Sequence, residues 1–434
     1  MQLVYSILSF VVALGILVVV HEFGHYWVAR KVGVKVLRFS VGFGKPLWSK
    51  VFGTDRTELV VAAIPLGGYV KMLDETEGRV APEEAHRAFN RQTVWKRSLV
   101  VIAGPLFNFV FAILAYWMLF SLGVEGIKPM VGKVKENSYA SQLGFKPGDE
   151  LIGIDGMSIQ TWDQHGLYLM DKALSGGIVV LDSRDSEGVV RTREIDLGKL
   201  KVGDVVKGSV LSRGLGLYPE IPDLPAVVGQ VLEGPAKEAG LLTGDKVIEV
   251  SGEPIHNWRQ LVEAISQNPG KDLSIKVDRL GEIIDYHIVP AKVDDKGKSI
   301  GRINITPPKF ELPEEIKTNL VYSPGAALSK GLEDTWRTSK VILKVFYRML
   351  RLDISSENIS GPITIAQYAG YTAQIGLDTF LMFLAFISIS LGVINLLPIP
   401  ILDGGHLMYY LIEAIKGSPV SEQVMLWGQQ VGII

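Results

Sequence analysis

The chain has 434 residues, with 46 acidic against 44 basic side chains and a net charge of −2. That balance carries no electrostatic footprint for nucleic acid, and the absence of cysteine excludes disulfides, thiolate metal sites and cysteine nucleophiles. Hydrophobic residues make up 47% and cluster in three charge-free runs, Met1–Val20, Ser98–Val124 and Thr379–Leu402, which points to a membrane protein.

In chain order, the first span covers 1–30. Its charge-free run can cross about 30 Å of hydrocarbon at about 1.5 Å per residue. It lacks the basic start and small-residue cleavage site of a secretory leader. The run closes on His21-Glu22-Phe23-Gly24-His25. H-E-x-x-H on a helix sets two imidazoles one turn apart on one face, the spacing a zinc ion needs, with a carboxylate beside them. Ionisable groups at membrane depth are costly and read as functional.

Residues 31–97 form a β loop region, either cytoplasmic or re-entering the membrane. Arg30, Lys31, Lys35 and Arg38 flank it on one side, Arg91, Lys96 and Arg97 on the other. No Lys or Arg precedes the first span, and the first after the second is Lys128. The positive-inside rule therefore sets this loop in the cytoplasm and the N-terminus outside. Within it, Leu59–Ile64 suits a strand, Pro65 and Gly67-Gly68 a turn, and Tyr69-Val70 a return strand. The loop reads either as a small cytoplasmic hairpin or as a strand-forming element beside an active site, offering an edge to an extended substrate. In the second span, 98–124, Gly104 and Pro105 mark close helix packing. Asn108 is either a packing amide or a donor toward a site.

Residues 125 to about 375 lie outside, which in a Gram-negative cell is the periplasm. Ala140-Ser-Gln-Leu-Gly144-Phe-Lys-Pro-Gly148-Asp149 recurs as Ala236-Lys-Glu-Ala-Gly240-Leu-Leu-Thr-Gly244-Asp245, and the match continues to Trp162/Trp258 at one constant offset. This is an internal repeat of one domain, over 125–220 and 221–308. Each copy resembles the PDZ fold in a circularly permuted order, whose members bind peptide C-termini along a sheet edge. A size filter without ligand is the alternative. Residues 309–376 read as a linker and helices. There Val341–Leu352 fits a helix on the membrane surface or packed against the repeats, and Asn358–Leu377 a re-entrant or surface segment.

The third span, 377–415, is broken. Asn395-Leu-Leu-Pro398-Ile-Pro400-Ile-Leu402-Asp403-Gly404-Gly405 must unwind, and a helix resumes from His406 to Ile415. Residues 416–434 read as the start of a fourth membrane helix that continues in the natural protein. By this topology Asp403 arrives at the membrane side of the HExxH, as a third ligand for one zinc ion per chain. Glu22 then serves as the base for metal-bound water. Asn395 or Asn108 either hydrogen-bonds the scissile carbonyl or packs between helices. His406 competes with Asp403 for the third ligand position but reads rather as a hydrogen-bonded packing residue, and His86, His165, His256 and His287 lie outside the membrane arrangement.

HEFGH in the first span, the GGYVKM loop, the paired repeat and NLLPIPILDGG together resemble the site-2 protease family. The resemblance implies a zinc intramembrane protease of the bacterial inner (cytoplasmic) membrane, with its active site toward the cytoplasm and its PDZ-like domains periplasmic. The expected fold class is a multi-pass α-helical membrane protein with a membrane-associated β-hairpin or sheet loop and two extramembrane α+β/β PDZ-like domains. It implies single-span substrates, namely an anti-sigma factor after first-site trimming and remnant signal peptides. His21, His25 and Asp403 would bind zinc and Glu22 activate water. Asn395, Pro398 and Pro400 would accommodate substrate. The 59–72 loop, with Val60, Ala62, Ile64, Gly67 and Gly68, would pair with the unwound substrate. The repeats would exclude substrates with bulky periplasmic parts. Two other classes fit fewer features: a membrane-anchored PDZ adaptor with an incidental HExxH, and a zinc transporter using His21, His25 and Asp403.

Overall fold

A computed structural model describes residues 2–206, 209–295, 298–308, 312–353 and 361–433. The chain divides into two compact units, Met1–Tyr218 with Thr318–Ile434, and Pro219–Lys317. Among the described residues, three helices are long and apolar enough to cross a membrane: Val4–Lys31, Val94–Leu122 and Leu377–Asn395.

In the first unit, α1 (Gln2–Lys31) runs unbroken through the HExxH, since no proline interrupts it. Arg30 and Lys31 in its last turn complement the helix dipole, and each caps an aromatic ring, Tyr26 and Trp27. α2 (Val94–Leu122) keeps its course through Pro105, which is buried against neighbouring helices. Its face Ala112, Ala115, Tyr116 and Leu119 packs with Ala385, Ile389 and Val393 of the 377–395 helix and with Ala327 of a helix at Pro324–Leu350. Gly331 on that last helix lets it lie close to α2, where an added Cβ would stand 3.2 Å from the Ile113 carbonyl.

The distal end of the 324–350 helix, expected on the membrane surface or against the repeats, packs on the first repeat. Lys344 pairs with Asp171 and reaches Ser175, and Arg348 donates to the Leu174 carbonyl at 2.6 Å. Of the segment expected to be re-entrant or superficial, Asn358–Ser360 lie outside the described residues. The rest forms the helix Pro362–Ile375, which packs beside the start of α1, with Tyr5 donating to the Ala373 carbonyl at 3.3 Å. The broken third span is seen as the 377–395 helix, turns over 396–402, and a new helix at Asp403–Lys416. A further helix spans Glu422–Ile433.

The loop region folds differently from the expected local hairpin. Its strands are β1 (Val36–Phe52) and β2 (Thr57–Met72), and the tight connection falls at 53–56. Pro65, Gly67 and Gly68 are not the hairpin turn but interruptions inside β2. Tyr69 and Val70 pair with Ser40 and Phe39 rather than with residues 59–64. Phe39 stands opposite both Val70 and Leu59, and Val60 opposite both Ser40 and Ser49. The two strands therefore bend into a curled sheet in which 58–61 is interior, while 68–72 and 46–52 are edges. Gly42 and Gly44, both at positive φ, supply the bend in β1.

The repeats share one frame. The first sheet orders Met157–Ser158, Glu150–Ile154, Ile178–Arg184 and Val190–Asp196. The second orders Glu253–Pro254, Lys246–Val250, Leu273–Arg279 and Glu282–Ile288 in the same succession. Leu151, Ile154, Leu181 and Ile195 fill one core, and Val247, Val250, Ile275 and Ile288 the other. The second copy belongs to the compact unit Pro219–Lys317, wider than the 221–308 of the sequence reading.

Candidate metal centre

His21, Glu22 and His25 come from the C-terminal half of α1, and Asp403 from the first turn of the 403–416 helix. The two Nε2 atoms of His21 and His25 lie 3.2 Å apart, and Asp403 Oδ2 lies 3.2 Å from the first and 3.5 Å from the second. Zinc held at about 2.0–2.1 Å in a tetrahedron needs ligand atoms about 3.3 Å apart. The triad is the one cluster of its kind among the described residues.

The protonation pattern fits a cation as well. His25 Nδ1 sits 2.8 Å from the Val100 carbonyl, which only accepts, so His25 holds its proton there and turns the Nε2 lone pair toward Asp403. The Asn108 amide lies 3.1 Å from His21 Nδ1, and its own Oδ1 is buried without a partner. A half-turn of that amide makes Oδ1 the acceptor for His21 Nδ1–H, which frees the second Nε2 in the same way. Asp403 Oδ2 is itself buried and accepts no hydrogen bond among the described residues. A carboxylate and two imidazole lone pairs facing one another are unfavourable unless a cation lies between them.

Close backbone approach creates this geometry. A Cβ on Gly24 would strike the Ala103 carbonyl, and one on Gly104 would strike His25 Nε2 and lie 2.8 Å from His21 Cε1. The packing role expected of Gly104 is thus packing against the two histidines themselves. Gly404 and Gly405 do the same for the third span, where added Cβ atoms would meet the carbonyls of Leu396, Leu397 and Ile399. Only glycine lets the 396–402 turns fold back over the new helix, which starts at Asp403 with a carboxylate at its positive end.

A cavity of about 350 Å³ opens beside the triad, walled by Glu22, Asp403, His406 and residues Val70–Met72. Val70 and Glu22 share the cavity wall. A Cβ on Gly68 would lie 3.2 Å from Glu22 Cγ and 2.7 Å from Val18. The sheet edge beside Glu22 is therefore 68–72. Val60 and Ala62, expected at a substrate-facing edge, are buried at 2% and 6% exposure, and Val60 is paired on both sides. Ile64 stands opposite Phe43, and Gly67 touches the Phe43 ring. Asn395 ends the 377–395 helix half-buried, with no side-chain hydrogen bond among the described residues. Pro398 and Pro400 lie in the turns that follow. The sequence reading had no role for Gly24 or for the Val100 carbonyl. Gly24 was visible as the small residue inside HExxH, whereas a carbonyl leaves no mark in a sequence.

Residues 9–434 match the model of Peptidase family M50. The chain is 41% identical over its whole length to the regulator of sigma-E protease RseP of Escherichia coli (strain K12), covering 96% of that protein. The same figures hold for the protein of that name in Salmonella typhimurium (strain 14028s / SGSC 2262). A protein of Vibrio cholerae serotype O1 named as a zinc metalloprotease is 38% identical, over 99% of this chain and 95% of the relative. An HExxH helix with a third ligand atom converging on it, near-complete coverage by the family model and full-length similarity to these proteases agree: the chain belongs to Peptidase family M50, the site-2 proteases, and is a zinc-dependent metalloprotease.

Proposed function

We propose that the protein is an intramembrane endopeptidase that cuts single-span membrane proteins, with His21, His25 and Asp403 holding one zinc ion and Glu22 as the proton carrier. The observation that carries this reading is the convergence of three ligand atoms at 3.2–3.5 Å next to Glu22, at the end of a membrane-length helix. Zinc bound there supplies a polarised scissile carbonyl and a water acidic enough to lose its proton near neutral pH. Glu22 takes that proton as the water attacks and returns it to the departing amide nitrogen. Val100 and Asn108 hold the imidazoles in register.

A peptide bond inside a helix is shielded, so the substrate must be extended at the cut. The 68–72 edge offers backbone groups to the unwound stretch within reach of Glu22. Asn395, Pro398 and Pro400 take the substrate on the other flank. The relatives named as regulators of sigma-E protease support an anti-sigma factor, trimmed first on its outer side, as one substrate. Remnant signal peptides are a second. Charge asymmetry supports insertion in the bacterial inner membrane, with the active site toward the cytoplasm and the PDZ-like repeats in the periplasm. In the second repeat, a cavity lined by Trp258, Leu261, Ile265, Ile300 and Ile303 suits an apolar peptide C-terminus.

The test is zinc content and cleavage of a single-span substrate in Glu22→Gln. Zinc should stay near one per chain while cleavage falls about 10³-fold. Normal cleavage by this variant refutes the reading.

A further inference from the structure

The metal cavity holds a side chain for which the proton-transfer scheme has no use. His406 lies one turn beyond Asp403 on the 403–416 helix, and Tyr410 follows one turn later. Spacings of three and seven put Asp403, His406 and Tyr410 on one face, and all three line the cavity. That face is held firmly. Arg97 lies 4.8 Å over the Tyr410 ring and bonds Glu413 at 2.6 Å, so α2 and this helix are joined across the cavity. The His406 ring meets Tyr409 edge-on, with centroids 6.4 Å apart.

His406 is half-buried, yet among the described residues neither ring nitrogen makes a hydrogen bond. The other membrane histidines are different: His25 is tied to Val100, and His21 to Asn108. Neither His406 nitrogen is among the fully buried polar atoms left without a partner, so both are accessible to an incoming group. The His406 side chain lines the cavity, where an extended substrate would run between the 68–72 edge and the triad.

We propose that His406 is a further catalytic residue, which donates an N–H hydrogen bond to the oxygen of the scissile carbonyl as it gains negative charge. This rests on the protease reading above. The bond is made to the substrate and no covalent bond to His406 forms or breaks. The imidazole then carries part of the developing charge, beside the Lewis acidity that a zinc ion held by His21, His25 and Asp403 would supply, while Glu22 handles the protons. A donor aimed at charge that appears only in the transition state raises kcat more than it lowers KM.

The test uses the purified full chain in lipid nanodiscs and a single-span substrate, with His406→Ala, His406→Gln and Glu22→Gln side by side. Both His406 variants should keep one zinc per chain. His406→Ala should lose about 10²-fold in kcat with KM within about twofold. His406→Gln, which keeps an N–H donor, should recover about tenfold of that loss, and added imidazole should raise His406→Ala but not the wild type. Wild-type kcat in His406→Ala, a His406→Gln no better than His406→Ala, or zinc loss from either variant overturns the proposal. If Glu22→Gln also cleaves normally, the protease reading falls with it. If Glu22→Gln is inactive while His406→Ala is normal, only the role of His406 falls.

Discussion

Two carboxylates in this protein sit in opposite circumstances. Asp245, in the second repeat, is 1% exposed and fully satisfied. Arg279 grips it with two bonds of 2.7 and 2.8 Å, and the Leu242 N–H donates at 2.8 Å. Asp403, in the membrane unit, has its Oδ2 buried with no donor, facing two imidazole nitrogens that are lone-pair bearers. Asp245 is complete as the chain folds, and Asp403 is complete only when a cation joins it. A buried acid with all its bonds supports structure, whereas one left open toward other ligand atoms marks where chemistry enters.

The sharpest way to break this contrast is Asp403→Asn. The amide brings no charge to the metal, so zinc should fall from about one per chain toward zero and cleavage by about 10³-fold, with helix content unchanged. Metal analysis beside circular dichroism decides it, and retained zinc would place the third ligand elsewhere. Gly104→Ala should act next most strongly, because its Cβ would displace both histidines. Zinc affinity should weaken about 10- to 100-fold without removing any ligand, as read by competition with a chelator.

At Asp245 the effects should appear as stability and leave zinc alone. Arg279→Ala strands a buried carboxylate and should destabilise the second unit by about 3 kcal/mol, measured by hydrogen exchange on its strands in the full chain. Burial alone would raise the Asp245 carboxyl, but the bonds from Arg279 and Leu242 outweigh it and hold it below the ordinary 3.8. Its contribution is therefore complete above about pH 4 and is lost as pH falls through the depressed folded value. In Arg279→Ala that acid-dependent loss should shrink. The first repeat differs. Arg193 stands 3.8 Å from Asp149 and instead donates to the Leu143 and Gly144 carbonyls at 2.9 and 3.2 Å, while lying 4.1 Å over the Phe145 ring. Arg193→Ala should therefore cost about 2 kcal/mol, through lost packing and hydrogen bonds to neutral groups and not through a stranded carboxylate, so its effect should change little with acid.

The legible parts were those whose signal lies within one turn or one strand. The HExxH spacing, the apolar runs and the repeated A-x-x-x-G-x-x-x-G-D motif are local patterns, and each sits in the element that pattern favours. The 59–72 loop was misread because its pairing is not local. Phe39 stands between Leu59 and Val70, and no spacing within 59–72 points to residue 39. Val60 therefore reads as an edge residue in isolation and is interior in the sheet. The cavity that His406 shares with Glu22 is likewise invisible in sequence, since nothing near residue 406 points to residue 22.

By itself the sequence determined the membrane-length helices, the two imidazoles with their carboxylate, and the duplicated domain, because periodicity and motif spacing act through neighbours along the chain. Only the tertiary structure decided which acid meets the imidazoles at ligand distance, which sheet edge lies beside Glu22, and which of the histidines around the cavity is left without a hydrogen-bond partner among the described residues. Those depend on how closely two backbones approach. At Gly24, Gly104, Gly404 and Gly405 that approach is set by the absence of a side chain, which becomes meaningful only when the opposing helix or carbonyl is known.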